Sequence, residues 1–223
     1  MFAWNRPISA NELLTARQVL TAEMAGQAEV VTGAEFSDTA IKQRRDLDEF
    51  RILHFATHGL VTGPRPQCPA QPALMTSFGA DDSDGVLTFS EIYDLRLDAD
   101  LIILSACDTA GHGSRAAAEA AGISGGEYAL DGLVRAFVGA GGRMVIASHW
   151  PVPVDFDATQ RLISGLFTAP PGTGTAAALR QAELSLMERP ETSHPYYWAG
   201  FAVVGDGAVP VIRSQGSAST GGN

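Results

Sequence analysis

Cysteine is scarce in this chain, basic residues are outnumbered, and no apolar run is long enough to cross a bilayer. Among 223 residues there are two cysteines, Cys68 and Cys107. They have neither CxxC spacing nor the density of a disulfide scaffold, so a reducing compartment, the cytoplasm, is the expected setting. Fifteen Lys and Arg stand against 25 Asp and Glu, for a formal net charge of −10. That balance argues against a nucleic-acid partner, because binding a phosphate backbone needs clustered cations. A cationic substrate suits it better. The opening stretch MFAWNRPISANELL has no basic segment followed by a continuous apolar one, and no stretch approaches the length of a membrane span. A soluble chain that does not engage a membrane is the expectation.

What is present reads as one α/β domain. Hydrophobic residues make up 45% of the chain and there are 24 glycines, enough for one substantial core. Ser9 and Glu12 have the spacing of a capping box that opens a helix to about residue 25. A short strand is expected at 28–32 and a second helix at 38–50. Residues 51–57 form a near-continuous apolar run ending at His58-Gly59, and residues 101–106 form the clearest buried strand, ending at Cys107. Loops are expected at 61–72, at the turn cluster 81–85, and at 112–126 beside Cys107. Thr88 with Glu91 predicts a capped helix. Helical spacing at 130–138, stopped by Gly141-Gly142, is followed by a core strand at 144–148, helices at 157–167 and 175–188, and a last strand at 201–204. The Ser/Gly-rich residues 213–223 read as a disordered tail after a domain spanning 1–212. Strands alternating with helices predict a mostly parallel central sheet with helices on both faces, a three-layer arrangement whose functional groups collect at the carboxyl ends of the strands.

His58 and Cys107 both fall at such ends, 49 residues apart. A thiol attacks as its thiolate, and a neighbouring imidazole can both lower its pKa and protonate the leaving amine. The separation is near the roughly 50-residue His-before-Cys spacing of caspases. Taken alone, the same residues also read as a small buried hydrophobe and a satisfied turn histidine. The surrounding segments are more specific. Ile52-Leu53-His54-Phe55-Ala56-Thr57-His58-Gly59, Leu104-Ser105-Ala106-Cys107-Asp108-Thr109-Ala110, Ala147-Ser148-His149-Trp150-Pro151-Val152 and His194-Pro195-Tyr196-Tyr197-Trp198-Ala199-Gly200-Phe201 resemble, in order, the signature segments of the CHAT family. These are caspase-like domains often found beside tetratricopeptide repeats.

The resemblance implies a caspase/haemoglobinase-like fold and a cysteine endopeptidase with a His58–Cys107 dyad and no metal or cofactor. Its oxyanion hole would come from the amides of Gly59 and Cys107, where a glycine leaves room for close approach. Its substrate would be a protein, and its regulator a partner or adjoining repeat domain. The alternative it leaves is a catalytically silent interaction module in a bacterial signalling or defence complex. The family domain usually starts further upstream, which leaves room for strands before Met1. Two departures stand out: Pro153-Val154 are extra residues before Asp155, and Gly126-Glu127-Tyr128 replaces an expected Gly-Glu-Gly. His149, Trp150, Asp155 and Asp157 are candidate substrate-binding residues, the two acids also being candidate helix caps.

Other signals are weaker. Asp82, Asp84, Gly85 and Glu91 fit an EF-hand loop whose first position, Ala80, lacks the needed carboxylate. His54 lies about 13 Å along the strand from His58, too far to share a metal. His112 is a rival base, and no glycine-rich phosphate turn supports a nucleotide-binding reading.

Overall fold

In a computed structural model, the described residues are 8–24, 27–61, 72–78, 82–107, 127–150, 153 and 155–213. The sheet is built around β1 (Ile52–Val61) and β4 (Leu101–Cys107), which pair in parallel from Ile52 opposite Leu101 to His58 opposite Cys107. β2 (Pro72–Met75) and β3 (Val86–Thr88) follow β1 on one side, and β5 (Met144–Ser148) and β6 (Phe201–Gly205) follow β4 on the other, in the order β3-β2-β1-β4-β5-β6.

Successive residues of a strand point to opposite faces, and β4 is apolar at every position from Leu101 to Leu104 because both faces are covered. Ile102 and Leu104 join a cluster with Leu133 and Phe137 of helix α4 (Glu127–Gly139) and Ile92 of helix α3 (Phe89–Tyr93). Leu101 and Ile103 join the opposite cluster, with Ala16 of α1 (Asn11–Met24), Leu162 and Leu166 of α5 (Ala158–Thr168), and Leu179 of α6 (Thr175–Met187). Each fully buried Leu, Ile or Phe contributes about 1.5–3 kcal/mol. Phe55 and Phe137 add a tilted ring contact at 5.1 Å. The turn from α4 into β5 needs Gly141, at φ +114, where a Cβ would lie 2.0 Å from the Leu97 carbonyl oxygen. At the other end of the sheet from His58, Asp100 accepts from Arg51 at 2.6 Å and Arg213 at 3.0 Å, tying the starts of β1 and β4 to the chain after β6.

The structure corrects several expectations. The sheet is mixed and not mostly parallel: β1–β2, β2–β3 and β5–β6 are antiparallel, and only β1–β4 and β4–β5 are parallel. Residues 28–32 form no strand. The helix expected at 38–50 is α2 (Asp38–Gln43) and a short 3-10 turn, Leu47–Glu49, with the break held by Arg44, whose guanidinium turns to both Glu29 and Asp46. β1 does not stop at His58-Gly59 but runs on to Val61, because Gly59, Leu60 and Val61 pair with β2. The Ser9 hydroxyl accepts from Asn11, while Glu12 reaches away from the cap to the sheet. The capping box at Thr88 and Glu91 is complete. The cores of the expected loops 61–72 and 112–126, with His112, and the tail from residue 214 lie outside the described residues.

A charged network closes the β2–β3 side. Asp38, 2% exposed, accepts from the Ser83 hydroxyl and pairs with Lys42 at 2.8 Å, and Lys42 also meets Glu91 at 2.5 Å. Burial works against the Asp38 charge, but the bonds from Lys42 and Ser83 outweigh it and hold its carboxyl below the ordinary value of 3.8. Such a lowered acid stabilises fully above its unfolded value and loses that contribution as pH falls through the folded one. Asp38→Ala should therefore cost about 2–4 kcal/mol in urea unfolding at pH 7, and its gap from wild type should narrow on acidification below about pH 4. A gap that held constant down to pH 2 would contradict this.

Candidate active site

The β1–β4 register is what brings the two candidate residues together. His58, partly buried, stands opposite Cys107 as its Cα partner. Paired positions of neighbouring strands share a face, about 4.8 Å apart. Two residues back along β4 and four back along β1, on that same face, lies a polar cluster built on α1. The Glu12 carboxylate meets His54 Nε2 at 2.6 Å with one oxygen and accepts from the Ser105 hydroxyl at 3.2 Å with the other. The His54 and Glu12 side chains are 8% and 12% exposed, and His54 Nδ1 is buried with no hydrogen-bond partner. Neither Glu12 nor Ser105 stands out in the sequence as part of a site, because Glu12 mimics a capping residue and Ser105 sits inside an apolar run. The signal that could have found them is parity: His54 with His58, and Ser105 with Cys107, alternate onto one face.

Gly59 is buried and lies inside the antiparallel ladder opposite Leu74. His149 and Trp150 follow β5. Counting on from the Leu104–Ala147 pair makes position 150 level with Cys107. His149 is exposed, its amide donating to the Gly200 carbonyl, and the Trp150 indole N–H donates to the Tyr196 carbonyl at 3.1 Å. Asp155 and Asp157 are both exposed on the turn before α5. Asp157 is the N-cap residue of α5 in position only: it is left-handed at φ 52 and its side chain makes no cap bond. Phe156 between them is also left-handed, at φ 56, with its ring edge-on to Tyr197 at 5.8 Å. Asp84, from the discounted calcium template, accepts from the Val86 amide as a turn residue, and Glu91 serves the α3 cap. A cavity of about 1000 Å³ runs beside β1 and is lined by His54 and His58 among others.

Two adjacent parallel strands carrying a histidine position against a cysteine position, in a mixed sheet covered by helices on both faces, define a histidine–cysteine α/β domain. The chain belongs to the CHAT domain family, whose model matches residues 1–206. Tetratricopeptide repeat protein 28 of Mus musculus and that of Homo sapiens are each 32% identical to it over 194 residues. The match takes in 71% of this chain but spans only 7% of the length of those relatives. Among the described residues no helix is long and apolar enough to cross a membrane.

Removing the Glu12 carboxylate leaves the Ser105 hydroxyl and the His54 ring buried without their partner. Glu12→Ala should lower stability by about 1–3 kcal/mol, and a double-mutant cycle with His54→Ala should return a favourable coupling of about 1–2 kcal/mol. Additive losses would show that the contact contributes nothing.

Proposed function

We propose that the chain is the peptidase domain of a cysteine endopeptidase acting on a protein substrate, with His58 and Cys107 as its dyad. The observation that carries this reading is the register that pairs those two positions across β1 and β4. In the proposed reaction His58 takes the Cys107 proton, and the thiolate attacks the scissile carbonyl carbon. The oxyanion accepts from the amides of Gly59 and Cys107, and the intermediate collapses to a thioester as His58 protonates the departing amine. Water, deprotonated by His58, then releases the acyl product and restores the thiol. No metal or cofactor takes part in these steps.

Trp150, level with Cys107, and His149 beside it would line the substrate cleft. The exposed Asp155 and Asp157 would receive a basic side chain, in keeping with the chain's excess of acid. The finer fold assignment, a three-layer caspase-like domain, is part of the same reading. So is a cytoplasmic setting, and so is regulation by tetratricopeptide repeats, which the names of the mouse and human relatives put in the same polypeptide as the matching region.

Thiol reactivity tests this without knowledge of the substrate. Iodoacetamide at pH 7 should alkylate Cys107 at least about 10-fold faster than Cys68, and His58→Ala should remove that advantage. Against a peptide library, Cys107→Ala should lower cleavage at least about 1000-fold. Labelling of Cys107 no faster than Cys68 would favour the silent interaction module, and cleavage that survived in Cys107→Ala would exclude the nucleophile.

A further inference from the structure

A bulky aromatic residue in the left-handed region, with most of its ring in water, goes against both backbone and hydrophobic preference. Phe156 does both, at φ 56 and 54% exposed. It is not an isolated surface residue. Its ring meets Tyr197 edge-on with centroids 5.8 Å apart, and Tyr197 meets Tyr196, itself 43% exposed, at 5.4 Å. Three touching rings at the surface form a contiguous apolar patch, the kind of feature that marks a binding surface.

Both halves of the patch are held from behind. On one side lies the 3-10 turn Pro195–Tyr197. It is fixed by the Trp150 indole, which donates to the Tyr196 carbonyl, by the Trp198 indole, which donates to the Ser193 carbonyl at 3.1 Å, and by His194 Nδ1, which accepts from the Tyr196 amide at 3.2 Å. On the other side the buried Thr159 hydroxyl donates to the Pro153 carbonyl at 2.7 Å, and Arg161 donates to the Phe156 carbonyl at 3.2 Å. A frame fixed in this way lowers the entropy lost when something binds to it.

Charge identifies the occupant. Phe156 stands between two exposed acids, Asp155 and Asp157. Asp157 occupies the N-cap position of α5 without making a cap bond, and among the described residues neither carboxylate has an ion-pair partner. Arg161, one turn on from Asp157 in α5, is committed to the Phe156 carbonyl. An aromatic face attracts a cation within about 6 Å of its centroid, and a planar guanidinium both stacks on a ring and donates from its edge to carboxylates. An ammonium has no such plane. An anion would be repelled by the two acids, in a chain of net charge −10.

We infer that the 155–157 turn and the rings of Tyr196 and Tyr197 form a recognition site for an arginine side chain of a bound polypeptide. The guanidinium stacks on Phe156 and donates to Asp155 and Asp157, while the apolar stem of the arginine lies along the tyrosines. The site rests on the role given above to Asp155 and Asp157 as receivers of a basic side chain and adds the ring that selects arginine. It does not require an active His58–Cys107 dyad.

An NMR titration of the 223-residue chain tests this, using a blocked pentapeptide with arginine at its centre and glycine elsewhere. Citrulline in place of arginine supplies the uncharged isostere, and lysine the charged group without a plane. The arginine peptide should shift the amide signals of 155–157 and 196–197 and bind at least about 10-fold more tightly than the citrulline peptide and about 3-fold more tightly than the lysine peptide. Phe156→Leu, which keeps an apolar side chain and loses the ring, should weaken arginine binding at least about 5-fold, whereas Phe156→Trp should keep or tighten it. Asp155→Asn combined with Asp157→Asn should weaken it about 10-fold and flatten its dependence on salt. Equal binding of the arginine and citrulline peptides, or shifts confined to other residues, would overturn the inference. Lysine binding as tight as arginine would overturn the selection of arginine, and wild-type affinity in Phe156→Leu would overturn the part given to the ring. Thiol labelling reads the dyad separately, so either reading can fail while the other stands.

Discussion

The parallel pairing of β1 with β4 is the constraint from which the rest follows, because a slip of one residue would turn every side chain of one strand to the wrong face. Two independent features pin it. The first is hydrophobic: Ile102 and Leu104 meet the α3/α4 side while Leu101 and Ile103 meet the α1/α5/α6 side, and the two clusters are not interchangeable. The second is polar: His54 and Ser105, on different strands, both bond one carboxylate, Glu12. Shifting either strand by one position would leave that carboxylate facing aliphatic side chains in a buried layer, at a cost of several kcal/mol. With register fixed at 54 and 105, the opposition of 58 and 107 follows without any interaction between those two residues.

That reasoning separates what holds the candidate site from what would do its chemistry. Glu12, His54 and Ser105 act on strand alignment, and the Asp100 network fixes the far end of the same strands. Phe156 and Asp157 occupy left-handed conformations that cost non-glycine residues of order 1–3 kcal/mol. They fall in the segment where the sequence departs from the family pattern, so the strain and the departure share one turn.

Central strands were legible because burial on both faces writes a continuous apolar run, as at 101–104, and the α3 cap because Thr88 and Glu91 bond each other's backbone and side chains locally, a contact Glu91 keeps while also meeting Lys42. Where sequence reasoning failed, a tertiary partner had taken over a local signal. Glu12 has the right spacing for a capping box and is drawn instead to His54. Residues 28–32 have strand composition and, among the described residues, pair with no strand. β2 and β3, four and three residues long, lie in Pro- and Gly-rich surroundings with too few positions to show alternation, so the antiparallel half of the sheet was missed and the sheet was expected to be mostly parallel. For the site, strand ends pointed to His58 and Cys107, but nothing local could say that β1 continues through Gly59, since that depends on pairing with β2.

The two strands that carry the candidate dyad are unequally supported. β4 is flanked by β1 along its whole length and by β5 at 102–104, inside two hydrophobic clusters, and its backbone hydrogen bonds are shared with neighbours on both sides. β1 pairs with β4 over 52–58 and with β2 only beyond it, at Gly59, Leu60 and Val61, and over 52–58 it lines the cavity. Local opening free energies follow this kind of support, being highest for doubly paired core strands and lower at bare edges. In a nucleophile–base pair, misplacement of either partner by about 1 Å can cost orders of magnitude in rate. The placement of the candidate pair therefore depends more on the support of β1 than on that of β4.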